Sequence, residues 1–240
     1  MSSGRPFHFK RFSLMHQHST MKVGTDAVLL GAWADGSRAN HILDIGTGCG
    51  ILSLILAQRY EKAQIVAVDI DPASVSEAKE NFHRSPWNQR LKAICSDIST
   101  YAETTTALFD LIVSNPPFFT STFKTLSQRR TLARHTDTLS FDQLAQAVKK
   151  IIHPKGTFAL VLPADQFDNW NSAARKQSLF LTRIQHIIPI KNKEPNRFNM
   201  SYSLDPIKKL QREEFIIREK DGQFTTQYLH QLKDLYLGIE

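Results

Sequence analysis

The sequence predicts an α/β fold: a mostly parallel seven-stranded sheet with helices on both faces and a terminal antiparallel hairpin. Three observations predict it. Short apolar runs alternate with helical patterns from residue 25 to residue 176, a glycine-rich turn follows the first of those runs, and the chain beyond residue 177 changes to longer extended stretches. Alternation of this kind implies parallel strands joined by right-handed crossovers. A chain of 240 residues with 41% hydrophobic content can bury one large core. Residues 1–240 therefore read as a single domain, with a basic segment and helix over 1–35, a ligand-binding core over 36–176, and antiparallel strands plus a closing helix over 177–240.

The first 25 residues hold Arg5, Lys10, Arg11 and Lys22 and no acid, with Phe7, Phe9 and Phe12 interleaved. Cations among aromatics suit a strand of phosphates with unstacked bases. Phenylalanines that anchor the segment on the core while the charges face water are the alternative, and both can hold together. A helix follows from Thr25 to Ala34. The first strand, near 41–45, ends in Ile42-Leu43-Asp44-Ile45 and runs into Gly46-Thr47-Gly48-Cys49-Gly50 before a helix near 50–60. Glycines at alternate positions let the backbone pass close to a ligand. A dinucleotide fingerprint requires a further glycine where Ile51 stands. The spacing fits S-adenosylmethionine better, because that cofactor carries no pyrophosphate and Asp44 is tolerable near its cationic amino-acid end.

The strand near 64–69 ends in Asp69, about 20 residues beyond the glycines, where doubly wound folds place an acid on ribose hydroxyls. Ile70 stands beside it. Asp71 precedes Pro72 and reads as the cap of a helix near 72–83. After the strand near 91–95, Asp97 is placed to accept from an adenine amine, with Ile98 packing beside the ring; a solvated loop acid is the alternative. The strand near 108–114 runs into Asn115-Pro116-Pro117-Phe118. An amine conjugated to an aromatic ring has a delocalised lone pair, so its attack benefits from acceptors that hold its two hydrogens. The Asn115 side-chain carbonyl and the Pro116 backbone carbonyl can be those acceptors, and Phe118 can stack on an extruded base. An ordinary strand-to-loop exit also favours Asn and Pro.

Between Phe118 and Phe141 the run containing Arg129, Arg130, Arg134 and His135 reads as a mobile flap. Helices near 140–151 and 164–176 flank a strand near 156–162. Leu179 to Ile188 and Arg197 to Leu204 read as the antiparallel hairpin, Glu213 to Ile217 as an extension of the sheet, and Thr225 to Leu237 as the closing helix. Lys191, Lys193 and Arg197 crowd the hairpin connection, and Lys208, Lys209 and Arg212 follow. Such clusters are solvated faces or a grip on an RNA backbone.

Charge is unevenly placed. Residues 1–120 hold 11 Lys+Arg against 11 Asp+Glu and residues 121–240 hold 19 against 12, so the formal +7 arises in the second half. No apolar stretch approaches a membrane span and no secretory segment opens the chain, so a cytoplasmic protein is expected, acting as a monomer. The two cysteines, Cys49 and Cys95, lack metal-ligand spacing and are expected to stay reduced. His16 and His18 form a short pair for which RNA contact is favoured over a metal site.

Together Asp44, the glycine turn, Asp69 and Asp97 resemble the Rossmann-like class I S-adenosylmethionine-dependent methyltransferases, and Asn115 to Phe118 resembles the motif of those that methylate amino nitrogens. Phe9 to Ser13, His16, Met21 to Trp33 and Arg134-His135 resemble the bacterial valine tRNA adenine N6-methyltransferases. The similarity runs from about Phe7 to Leu237 and is most distinctive at Met21-Lys22-Val23-Gly24-Thr25-Asp26. Relatives carry Tyr where Phe118 stands, which preserves stacking. The resemblance implies S-adenosylmethionine as cofactor, tRNA as partner and N6 of the adenosine 3′ of the anticodon as target. It also implies Asn115, Pro116 and Phe118 as catalytic residues and Thr25, Asp44, Gly46, Thr47, Gly48, Gly50, Asp69, Ile70, Asp97, Ile98 and Asn115 at the cofactor. RNA contacts are expected from Lys10, Arg11, Lys22, Arg129, Arg130, Arg134, His135, Lys191, Lys193 and Arg197, and no metal is expected. Four alternatives remain: a glutamine N5-methyltransferase of a translation factor, against which the basic N-terminus stands; another RNA adenine N6-methyltransferase; a DNA adenine methyltransferase, which needs a target-reading region; and an RNA-binding protein that has lost catalysis.

Overall fold

The computed structural model describes residues 5–17, 24–116 and 139–239. Its elements, in chain order, are β1 (Phe7–His8), β2 (Ser13–Leu14), α1 (Thr25–Trp33), β3 (His41–Ile45), α2 (Ile51–Arg59), β4 (Gln64–Asp69), α3 (Pro72–Arg84), β5 (Leu91–Cys95), α4 (Ile98–Thr104) and β6 (Phe109–Ser114). Then come α5 (Phe141–Ile151), β7 (Ile152–Pro163), α6 (Phe167–Lys176), β8 (Phe180–Ile190), β9 (Arg197–Ser203), β10 (Gln211–Arg218) and α7 (Thr226–Leu232).

Among the described residues the large sheet has eight strands rather than seven, in the order β10-β8-β9-β7-β6-β3-β4-β5, and only β9 runs antiparallel to its neighbours. The added strand is β10, which pairs parallel to β8 from Gln211↔Arg183 to Arg218↔Ile190. Its free edge is covered by Gln227, whose side chain accepts from Ile216 N–H and donates to Glu214 C=O, as a neighbouring strand would. The central strands β3 and β6 are almost wholly buried, as parallel strands covered on both faces must be.

Two apolar layers cover the sheet. One packs α1 and α2 against Ile42, Ile65, Ala67, Leu111, Val113, Ala159 and Val161. The other packs α5 and Trp170 of α6 against Leu43, Val68, Ile112, Phe158, Leu160 and Leu162, the alternate residues of the same strands. Helix starts follow their capping signals: Asp71 accepts from the N–H groups of Ala73 and Ser74, and Ser140 with Gln143 forms a capping box. The expected helix over 164–176 begins as a 3₁₀ turn at Ala164–Gln166, and the closing helix stops at Leu232. Among the described residues no helix is long and apolar enough to cross a membrane.

The N-terminal hairpin of β1 and β2 was not expected from local pattern. Phe9 and Phe12 are buried and stack on each other, Phe9 stacks on Tyr236, and Phe12 meets the edge of Trp87. Of the two readings for these phenylalanines, Phe9 and Phe12 follow the anchoring one. The segment also clasps the C-terminus, since Lys10 N–H donates to Leu235 C=O.

Candidate active site

Sheet order brings the chemistry-bearing residues to one edge. From β3 the chain winds outward through β4 to β5, then returns to place β6 on the other side of β3. This reversal is where doubly wound sheets open a crevice at the carboxyl ends of their strands. Ile45 pairs with both Ser114 and Val68, and Asp69 pairs with Cys95. Asp69 therefore ends β4, while Gly46, Asn115 and Asp97 follow the ends of β3, β6 and β5, strands about 4.8 Å apart. The Ser114 hydroxyl donates to Ile45 C=O at 2.9 Å and fastens the two central strand ends together.

The glycine turn is a cradle with four of its N–H donors engaged. Gly46 and Gly48 have φ of +71° and +55°, and a Cβ built at either would meet nothing within 4 Å. The space above them is open to a ligand, whereas a Cβ at Gly50 would lie 2.5 Å from the Phe82 ring. Gly50 serves helix packing. Gly46 and Thr47 N–H groups both donate to Val68 C=O, Gly48 N–H to Asp69, and Gly50 N–H to Thr47 C=O.

Asp44 lies beneath this turn and is 1% exposed. Its Oδ2 accepts from the Thr47 hydroxyl, the Ser53 hydroxyl and Ser53 N–H, while Oδ1 is buried with no partner among the described residues. Burial pushes its carboxyl up to about 6, against the pull of the Ser53 and Thr47 hydrogen bonds. Asp69 is also raised, first by desolvation, although Asp71 N–H and Gly48 N–H stabilise its charge. Ile70 follows it at 63% exposure, an apolar side chain left standing in the open.

Asp97 accepts from Ser99 and Thr100 N–H groups through Oδ1 and caps α4. It is therefore a structural cap before anything else. That cap directs Ile98 into the core, where it is 4% exposed among the layer holding Leu43 and Val68, so it has little surface left for a ring. Ile70 is the open apolar residue of this edge instead.

Asn115 and Pro116 close the row, and Asn115 Oδ1 is buried without a hydrogen-bond partner among the described residues. An amide oxygen left so is an acceptor awaiting a donor. Phe118, Lys22, Arg129, Arg130, Arg134 and His135 lie outside the described residues. Thr25 opens α1 and is exposed on the same edge, because its neighbour Asp26 binds Arg197, which pairs with Pro163 at the end of β7.

The remaining basic residues separate. Lys191 and Lys193 occupy the β8–β9 turn on the catalytic edge; Lys191 pairs with Glu219 at 2.9 Å, and Arg197 pairs with Asp26 at 3.1 Å. Lys193 is exposed. Arg11 instead sits over Trp87, beyond the C-terminal end of α3, and Lys10 reaches Ile239 C=O at 2.5 Å. Those two are remote from the row of strand ends.

Pattern reading overlooked Ser53, which holds Asp44, and Asn81, which holds the N-terminal segment. The Asn81 amide accepts from Met15 N–H and donates to Met15 C=O and Cys49 C=O, each at 2.8 Å. Gln17 N–H donates to Glu77 at 2.6 Å. No local sequence signal marks such contacts across 60 or more residues. Among the described residues no group of three or more His, Cys, Asp or Glu is placed to hold a metal.

Residues 9–162 match the model of the methyltransferase small domain family. A protein of Phocaeicola vulgatus named tRNA1(Val) (adenine(37)-N6)-methyltransferase is 40% identical over 97% of this chain and 98% of its own. One of the same name from Parabacteroides distasonis is 39% identical over the same shares. Among solved structures, a predicted O-methyltransferase of Agrobacterium tumefaciens superposes with a TM-score of 0.66 at 17% identity, covering 88% of this chain and 96% of that one. The fold is thus that of the Rossmann-like class I methyltransferases.

Proposed function

The chain belongs to the methyltransferase small domain family, and from that premise we propose that it methylates N6 of an adenosine in tRNA, the one 3′ of the anticodon in valine tRNA. The names of the two relatives support the target. The observation that carries the chemistry is Asn115 Oδ1, buried at the switch point next to the glycine turn and without a partner among the described residues.

S-adenosylmethionine supplies the electrophilic methyl group when bound. Its chemistry fits the residues present: an open, Cβ-free surface over Gly46 and Gly48, and a buried carboxylate oxygen on Asp44 that lacks a counter-charge. Asp69 is placed to accept from a ribose diol, since each of its oxygens has one N–H bond and lone pairs to spare. Ile70 offers an apolar face to the adenine. Thr25 borders the methionine end, and Asp97 shapes the far wall.

Asn115 Oδ1 and the Pro116 carbonyl accept the two N6 hydrogens of the target adenine. This turns the nitrogen lone pair out of conjugation and toward the methyl group. No strong base is required, because N6 becomes acidic only as the new bond forms and its proton can pass to water afterwards. Most of the acceleration comes from alignment at about 3 Å. Lys191, Lys193 and Arg197 face the RNA on the same edge, with Phe118, Lys22, Arg129, Arg130, Arg134 and His135 as further contacts.

The test is transfer of radiolabelled methyl from S-adenosylmethionine into unmodified tRNA and, separately, into a protein extract, followed by nucleoside analysis. Label in N6-methyladenosine of valine tRNA is expected. Label in protein alone overturns the reading in favour of a glutamine N5-methyltransferase, and label in neither, with cofactor bound, overturns it in favour of a non-catalytic RNA binder.

A further inference from the structure

The cofactor cradle has an acid for an ammonium group, and four N–H donors of its glycine turn are already engaged. An S-adenosylmethionine bound there brings an ammonium and a carboxylate, one carbon apart. The N–H groups of Gly46, Thr47, Gly48 and Gly50 are all occupied within the protein, and Ser53 N–H is taken by Asp44. Asp44, Asp69 and Asp71 make the neighbourhood hostile to a second anion. A carboxylate there gains from a donor brought by another part of the chain.

The N-terminal segment brings one. Residues 14–17 run along α3 from Asn81 toward Glu77, held by the two-way pairing of Met15 with the Asn81 amide and by Gln17 N–H on Glu77. The same Asn81 amide donates to Cys49 C=O, so the segment is tied directly to the glycine turn. Met15 and Gln17 both line a shallow groove of about 300 Å³ on the outer face of α3, together with Ala73, Ser76 and Glu80. His16, between them, does not line that groove and adjoins the residue that shares the Asn81 amide with the glycine turn. Its Nδ1 is buried and, among the described residues, has no partner.

We propose that His16 is a cofactor-binding residue whose Nδ1–H donates to the methionine carboxylate of S-adenosylmethionine, while Asp44 faces the adjacent ammonium. This inference rests on the cofactor assignment made above. It gives the N-terminal segment a role at the cofactor: the strap that Asn81 anchors becomes one wall of the site. A buried imidazole nitrogen without a partner is costly in the free protein, and the carboxylate removes that cost.

The test is calorimetric binding of two probes, S-adenosylmethionine and its decarboxylated analogue, which keeps the ammonium and loses only the carboxylate. The wild type should favour the intact cofactor. His16→Ala should weaken the intact cofactor on the order of 10- to 100-fold, as expected for a hydrogen bond to a charged group, and leave the analogue within about twofold. His16→Asn, whose amide nitrogen occupies the place of Nδ1, should restore the preference; His16→Gln, which mimics Nε2, should not. Should the alanine variant fail to fold, the Asn and Gln pair decides the question alone. Equal weakening of both probes would reduce His16 to packing, and unchanged binding of both would remove it from the site; either overturns the proposal. A wild type that binds neither probe overturns the underlying cofactor assignment, a failure distinct from the other two.

Discussion

Asp44 and Asn115 are both built at a disadvantage to the free protein, and that is where residue-scale behaviour is most readily measured. Asp44 has its carboxyl raised from 3.8 to about 6 because burial disfavours its charge more than the Ser53 and Thr47 bonds favour it. Its folded value thus lies above its unfolded one, so the folded state holds the proton more tightly. The corresponding stability is fully present below about pH 4 and is lost as pH rises through about 6. The difference of roughly two units corresponds to about 3 kcal/mol. Denaturation across pH 4.5–7.5 should show this falling limb in the wild type and a flatter profile in Asp44→Asn; coincident slopes would remove desolvation of Asp44 as the cause. Saturating S-adenosylmethionine should flatten the wild-type profile too, because its ammonium supplies the missing counter-charge. Asn115 differs in having, among the described residues, no hydrogen bond to lose through Oδ1. Asn115→Ala should reduce single-turnover methyl transfer on the order of 100-fold or more while cofactor affinity stays within about twofold and stability within about 1 kcal/mol. A variant that transfers methyl at the wild-type rate would sink the assignment of Asn115.

At the scale of elements, the strap over α3 shows how a single side chain can set a segment's place. Asn81 is 1% exposed and makes three hydrogen bonds, two to Met15 and one to Cys49. Asn81→Ala leaves those backbone groups buried and unsatisfied, which should lower stability by about 2–4 kcal/mol. Amide exchange should accelerate at Met15 and Gln17 more than in β4 or β6; uniform acceleration would mean that Asn81 supports the whole sheet. This contact was not legible in the sequence, because it joins residues 66 apart and uses an Asn that reads locally as one more polar position of a helix. What was legible had a local cause. The buried parallel strands announced themselves as apolar runs, Asp71 before Pro72 as a cap, and the glycine turn as an interruption between strand and helix. Asp97 shows the limit: its cap was hidden because Ile98 to Thr104 is too short to display a helical period, so Ile98 read as a loop residue free to face a ligand when it enters the core. The strand β10 was only half legible, since its alternation of charged and apolar residues fits an exposed edge as well as a paired strand. Phe9 and Phe12 carried two readings until long-range packing on Tyr236 and Trp87 chose between them.

The whole molecule divides its working edge by charge. On one side of the β3–β6 switch stand Asp44, Asp69, Asp71 and Asp97; on the other, beyond β7 and β9, the β8–β9 turn carries Lys191 and Lys193. With each strand about 4.8 Å wide, the turn begins roughly 15 Å from Asn115, about two to three nucleotides of extended chain away. Pairing with Glu219 and Asp26 tempers Lys191 and Arg197, so Lys193 is the cation of this turn most open to a phosphate. Lys208, Lys209 and Arg212 precede or open β10 and Lys155 lies near the start of β7, all at the opposite edge of the sheet. Net charge alone makes no distinction between these sites; topology does. Lys193→Glu should weaken tRNA binding and reduce the steepness of log K against log salt by about 1, with S-adenosylmethionine affinity unchanged. Lys155→Glu, the same charge change on the opposite edge, should leave the salt slope as in the wild type. If the two variants lose affinity and slope equally, the RNA responds to the overall +7 rather than to an edge, and the path from Asn115 across β7 and β9 to the turn is wrong.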